Sequence, residues 1–207
     1  MAEGDERRTP RLVATQQPSR PTGLVLVLHG GAARPSRPAV SPTQLSVLRM
    51  VPIARRIARA DRGLAVVRLL NSTRGWDATT TPVDDVRWAL AQLRARYGEI
   101  PVSLVGHSLG GRAALLAGEA DAVRTVVALN PWVYPTDDAD LAGRRVLVVH
   151  GTDDHVALPE RARAVVASLR RRTEVEYVEV PGGKHAMLRH GRTFERAATA
   201  FVTGTPG

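Results

Sequence analysis

Val105-Gly106-His107-Ser108-Leu109-Gly110-Gly111 is the stretch on which the reading of this chain turns. It follows an apolar run, Val102 to Val105, and precedes an alanine- and leucine-rich run, Arg112 to Glu119, so it reads as strand, sharp turn and helix. Glycines stand two residues before Ser108 and two after it. A turn this tight holds the serine in a strained backbone conformation, and a side chain at 106 or 110 would meet the neighbouring strand or helix. The hydroxyl is lifted clear of the sheet edge, and the first N–H groups of the helix face whatever Ser108 attacks. A glycine-rich turn with an incidental serine has the same letters, so the surrounding chain must decide between them.

Upstream, Gly23 to Leu28 is continuously apolar, the pattern of a strand buried on both faces, and it stops abruptly at His29-Gly30-Gly31. A helical stretch from Thr43 to Ala60 carries an apolar face of Leu45, Leu48, Ile53 and Ile57, with Pro52 predicting a break or a restart. Leu64 to Leu70 is the next strand. Pro82 opens a helix with Val86, Leu90 and Leu93 on its buried stripe, ending near Gly98. Downstream of the quoted stretch, strands are predicted over Arg124 to Leu129, Arg145 to His150 and Glu174 to Val180, and helices over Leu158 to Arg172 and Thr193 to Val202. Six strands alternating with helices predict an α/β fold: a doubly wound, mostly parallel sheet with helices on both faces. Asn130 to Arg144 has room for a loop and at most a turn or two of helix, which excludes a cap domain there.

The 207 residues suit one domain, expected over 22–207, with 1–21 a flexible tail or a poorly formed first strand. No cysteine is present, so no disulfide framework, thiolate nucleophile or Cys-ligated metal is available. Met1 to Arg11 is charged and polar, unlike a secretory signal, and no run approaches the roughly 20 apolar residues of a membrane span. A cytoplasmic location is the expectation. The formal charge of +9 invites a nucleic-acid partner, yet of the 29 Lys and Arg residues only Lys184 is lysine. Such a bias points to GC-rich codon usage. The arginines are scattered and lack interleaved aromatics, so no nucleic-acid partner is expected.

A serine hydroxyl is a weak nucleophile near neutral pH and needs a base, a group to orient that base and donors for an oxyanion. In open α/β sheets these gather just beyond the carboxyl ends of strands. His185 follows the last strand on a glycine-bearing loop, Gly182-Gly183-Lys184-His185, and is the candidate base. The strand ending at His150 leads into Gly151-Thr152-Asp153-Asp154, and Asp154, shortly before Val156 and Pro159, is preferred over Asp153 as the orienting acid. Either acid also suits the positive end of the helix that follows. The oxyanion donors are expected to be the backbone N–H groups of Leu109 and Gly31. His29 and His107 read as loop braces, His150 or His155 as groups behind the acid, and His190 as a surface residue. Trp76, Trp132, Tyr134 and Met187 fit equally well as pocket lining or as core.

Through Leu28-His29-Gly30-Gly31, Gly106-His107-Ser108-Leu109-Gly110-Gly111, His150-Gly151-Thr152-Asp153-Asp154 and Gly183-Lys184-His185, the chain resembles the α/β-hydrolase superfamily over about residues 23–202. It looks most like the small, capless branch near simple esterases and dienelactone-hydrolase-like proteins. It departs from dienelactone hydrolases proper in having serine where they use cysteine, and the N-terminal antiparallel strands common in the superfamily are missing or reduced to residues 11–21. The resemblance implies hydrolysis of a carboxylic ester through an acyl-enzyme, without a cofactor or a metal, in a shallow open pocket. Two rivals remain: the same site acting on an acyl thioester, with Arg34 or Arg74 meeting a phosphorylated carrier, and an inactive binding protein on the same fold. Substrate choice is assigned to loops 32–43, 71–81 and 130–144.

Overall fold

The computed structural model describes residues 9–32, 39–76 and 80–204. Loops 32–43 and 71–81 therefore lie partly outside the described residues, and Arg34 lies wholly outside them. In chain order the elements are β1 (Arg11–Gln16), β2 (Gly23–Leu28), α1 (Leu45–Leu48), α2 (Met50–Ala60), β3 (Leu64–Leu70), α3 (Thr81–Tyr97), β4 (Val102–His107), α4 (Leu109–Ala117), β5 (Val123–Leu129), β6 (Arg145–Gly151), α5 (Pro159–Leu169), β7 (Val175–Val180) and α6 (Gly191–Thr203).

Among the described residues the strands form one seven-stranded sheet in the order β1-β3-β2-β4-β5-β6-β7, parallel throughout except for β1. Every residue of β2 is buried. Leu24, Leu26 and Leu28 face one apolar layer with residues of α3, α4 and α5, and Val25 and Val27 face the other with residues of α2 and α6. This is the period-2 alternation of a strand covered on both sides. The fold is the doubly wound, capless α/β arrangement that the sequence predicts.

Two local differences have physical causes. Arg11–Gln16, read as a tail or a poorly formed strand, is a six-residue edge strand paired antiparallel with β3. Gln16 fastens it by donating from Nε2 to the carbonyls of Asp61 and Leu64, both at 2.8 Å. The break in the Thr43–Ala60 stretch falls at Arg49 rather than at Pro52. Pro52 sits in the first turn of α2, where its missing N–H has no helical acceptor to lose. Asn130 to Arg144 is a loop without helix, within the loop or short helical turn expected of it.

β3 and β4 flank β2 on opposite sides, so the chain reverses its winding direction at β2. The carboxyl ends of β2 and β4 diverge there, which is where doubly wound sheets open a crevice.

Candidate active site

Ser108 sits between β4 and α4 with φ 56° and ψ −122°. It is held there from several sides: its N–H donates to Leu129 O at 3.0 Å, and its own carbonyl accepts from Arg112 and Trp132, both at 3.1 Å. The flanking glycines are required by contact. A Cβ at Gly110 would lie 2.6 Å from the carbonyl oxygens of Leu28 and His29, and one at Gly106 would run into the carbonyl of Gly110. Backbone thus packs on backbone across β2, β4 and α4.

His185, on the loop after β7, turns back over this turn. Its Nε2 lies 2.9 Å from Ser108 Oγ and its Nδ1 lies 2.8 Å from Asp154 Oδ2. With Nδ1 donating to the carboxylate, Nε2 is the atom free to accept the serine proton. Asp154 is buried, and its Oδ1 accepts the backbone N–H groups of Val156 at 2.9 Å and Ala157 at 2.8 Å. Burial acts to raise its pKa, but the nearby His150 imidazole, the hydrogen bond from His185 and the Ala157 N–H outweigh it and hold the carboxyl below its usual range. Asp153, the alternative acid, is exposed and among the described residues accepts only from the Thr152 hydroxyl, at 3.1 Å, while its N–H donates to Gly183 O.

The remaining histidines divide. His29 donates from Nδ1 to Gly30 O at 2.6 Å and accepts the Asn71 N–H at Nε2, bracing the ends of β2 and β3. Burial lowers its pKa. His107 donates from Nε2 to His185 O at 2.8 Å, and its ring centroid lies 5.0 Å from that of His185. Burial, reinforced by the positive potential of His185, lowers its pKa to about 3. His150 lies behind the acid, donating from Nε2 to Ala157 O at 2.8 Å with Asp154 Oδ2 at 3.6 Å. His155 is exposed. His190, expected on the surface, is half-buried at the residue preceding α6, without a side-chain capping bond.

Two arrangements escaped the sequence. Asn130, fully buried at φ 41°, accepts the Gly151 N–H at Oδ1 and donates from Nδ2 to the carbonyls of Lys184 and His185 at 3.2 and 3.3 Å. It joins the ends of β5 and β6 to the loop that carries His185. A lone polar residue directly after the apolar run of β5 is the signal that could have marked it. The second is Arg112, on α4, which pairs with Asp137 through two hydrogen bonds of 2.7 and 2.6 Å. Its guanidinium stacks 4.1 Å from the Trp76 ring and 4.9 Å from that of Tyr134. The loop after β5 is thereby pinned to the helix after Ser108.

A cavity of about 700 Å³ opens over Ser108. Ser108, His185, Gly31, Leu109, Trp76 and Trp132 all line it, as do Arg49 and Arg74. Leu109 is the first residue of α4, so its N–H has no acceptor within the helix. The other two candidates for lining or core, Tyr134 and Met187, are not among the lining residues. Tyr134 is largely exposed and meets Trp132 edge-on, because the Arg112–Asp137 pair and the bond from Tyr134 N–H to Asp137 turn its loop outward. Met187 is buried in the apolar layer with Phe194 and Phe201, a better place for a thioether than a wet rim. Among the described residues no group of three His, Asp or Glu side chains could hold a metal ion, and no helix is long and apolar enough to cross a membrane.

A lidless sheet with a buried serine-bearing turn at its winding switch defines a hydrolase class of fold. The model of the Alpha/beta hydrolase family matches residues 90–193, and the chain belongs to that family. No curated protein matches the sequence. Solved structures similar to it include an α/β serine hydrolase homologue from Coxiella burnetii, at 18% identity and TM-score 0.69, covering 92% of this chain and 90% of that one. A serine hydrolase without a lid from Xanthomonas campestris, at 19% identity and TM-score 0.70, covers 96% and 89%. Est1E from Butyrivibrio proteoclasticus with bound ferulic acid, at 18% identity and TM-score 0.70, covers 95% of both chains.

Proposed function

We propose that this hydrolase cleaves a carboxylic ester by way of a serine-bound acyl intermediate. The observation that carries the reading is the unbroken hydrogen-bonded chain from Ser108 Oγ through His185 to Asp154, with the serine end opening into the cavity. Ser108 Oγ attacks the carbonyl carbon while His185 Nε2 takes its proton. The oxyanion is met by the N–H groups of Leu109 and Gly31, and the imidazolium by the Asp154 carboxylate. Collapse of the tetrahedral adduct expels the alcohol, which receives the proton from His185. Water, deprotonated by the same nitrogen, then releases the acid and restores the serine.

The environment suits each role. A carboxyl held below its usual range stays ionised to balance the imidazolium. A neutral His107 at 5.0 Å adds no second positive charge against it. The test is labelling by a fluorophosphonate together with hydrolysis of 4-nitrophenyl butanoate by the purified chain. Ser108→Ala is expected to abolish labelling and to lower kcat/KM at least about a thousandfold without changing the melting temperature by more than a few degrees. Equal labelling and turnover in the variant would remove Ser108 from the mechanism, and inertness of both proteins would favour a binding role.

A further inference from the structure

The cavity over Ser108 has an unusual charge balance. Its lining contains two guanidinium groups, Arg49 from the junction of α1 and α2 and Arg74 from the loop after β3, and among the described lining residues no aspartate or glutamate. Neither arginine forms an ion pair among the described residues, and the Nε–H of each is buried without an acceptor. Arg112, by contrast, is held by Asp137, and Arg170 by the carbonyl of Val175.

Both cations line the cavity that holds Ser108 and His185. The Cγ of Arg74 lies 3.8 Å from where a Cβ on Gly31 would stand, so its stem runs beside the proposed oxyanion donor. The charge of Arg49 contributes to lowering the pKa of His107, the neighbour of Ser108, and burial depresses the guanidinium of Arg49 itself. A buried Nε–H without an acceptor is a cost that a ligand oxygen can relieve, and a planar guanidinium matches the two oxygens of a carboxylate or phosphate. The same cavity also has apolar lining, from Trp76, Trp132, Leu45 and Val156.

We propose that Arg49 and Arg74 form an anion subsite, and that the substrate is an ester bearing a second, negatively charged group, a carboxylate or phosphate. This inference rests on the serine-ester reading above and narrows it to a substrate class.

The experiment compares matched pairs of esters on the full chain. 4-Nitrophenyl hydrogen glutarate against 4-nitrophenyl pentanoate places the charge on the acyl side. 4-Carboxyphenyl butanoate against 4-methylphenyl butanoate places it on the alcohol side, and 4-nitrophenyl 4-phosphonobutanoate tests a phosphorus anion in place of the carboxylate. The expected result is a kcat/KM at least about tenfold higher for the charged member of one pair. That preference is expected to fall below about threefold in the double variant Arg49→Gln/Arg74→Gln. A thermal melt and the neutral ester of each pair report whether the variant still folds.

The proposal is overturned by Ser108-dependent turnover of the neutral esters with no preference in either pair, or by a preference that survives the double variant. Absence of all turnover together with absence of fluorophosphonate labelling is a different result: it removes the hydrolase mechanism, and the substrate class falls with it.

Discussion

Lowering the pH from 7 to 5 is expected to destabilise the protein through His107. Its pKa falls from an ordinary 6.5 to about 3 on folding, so the folded state holds fewer protons than the unfolded one between these values. Stability from this group is complete above about pH 6.5 and is lost progressively as the pH falls towards 3. At pH 5 the unfolded imidazole is almost fully protonated and the folded one is not, a difference of about 2 kcal/mol. The buried His29 adds a loss of the same sign. Asp154, whose carboxyl is held below its usual range, acts in a lower window: its contribution is full above the carboxylate range and disappears only below about pH 4. The interval from pH 5 to pH 7 therefore isolates the histidines. The assay is urea unfolding at both pH values for the parent chain and for His107→Gln, whose amide can still donate towards His185 O. The variant is expected to lose about 2 kcal/mol less between pH 7 and pH 5 than the parent, and the parent melting temperature is expected to drop by at least about 4 °C. Parallel pH slopes for the two proteins would refute the reasoning, because they would mean that His107 is solvated or already charged at neutral pH.

Asp154→Asn is expected to lower ester turnover by about 10⁴ while Asp153→Asn changes it less than about threefold, since only Asp154 touches His185; steady-state kinetics on a 4-nitrophenyl ester check this, and a large loss in the Asp153 variant would reverse the assignment. Gly110→Ala forces a Cβ to within 2.6 Å of two carbonyl oxygens of β2 and is expected to cost at least about 3 kcal/mol or to abolish soluble expression, as read by urea unfolding. Asn130→Ala removes the donor to Lys184 O and His185 O and leaves the Gly151 N–H without its acceptor. It is expected to cost about 1–3 kcal/mol and to lower kcat more than it raises KM, because it loosens the loop that carries His185.

How far the sequence discloses this molecule depends on whether a feature is local or made by two distant segments. The parallel strands were legible because each is buried on both faces and so reads as an uninterrupted apolar run, as in Gly23–Leu28. β1 was not, since an edge strand is half-covered and its Arg-Leu-Val-Ala-Thr-Gln looks like a polar tail until β3 lies beside it. Ser108, Asp154 and His185 were legible as residues that must stand just past strand ends, and the structure brings those three within hydrogen-bonding distance. Asn130 and the Arg112–Asp137 pair were not, because their partners lie 21 or more residues away in loops whose approach no periodicity encodes. Met187 shows the same gap from the other side: its position after His185 places it near the site, and only the direction of its side chain puts it in the core.

The turn at Ser108 sets thermal robustness and chemistry against each other at one position. A serine at φ 56° and ψ −122° occupies a region in which only glycine is at ease, at a penalty of about 1–3 kcal/mol, whereas glycine gives back only about 0.5–1 kcal/mol of that through its freer unfolded chain. Directed evolution under heat challenge alone is therefore expected to drift towards Gly at 108, yielding a hardier and inert protein. Any screen for a heat-resistant variant of this fold must score turnover in the same round.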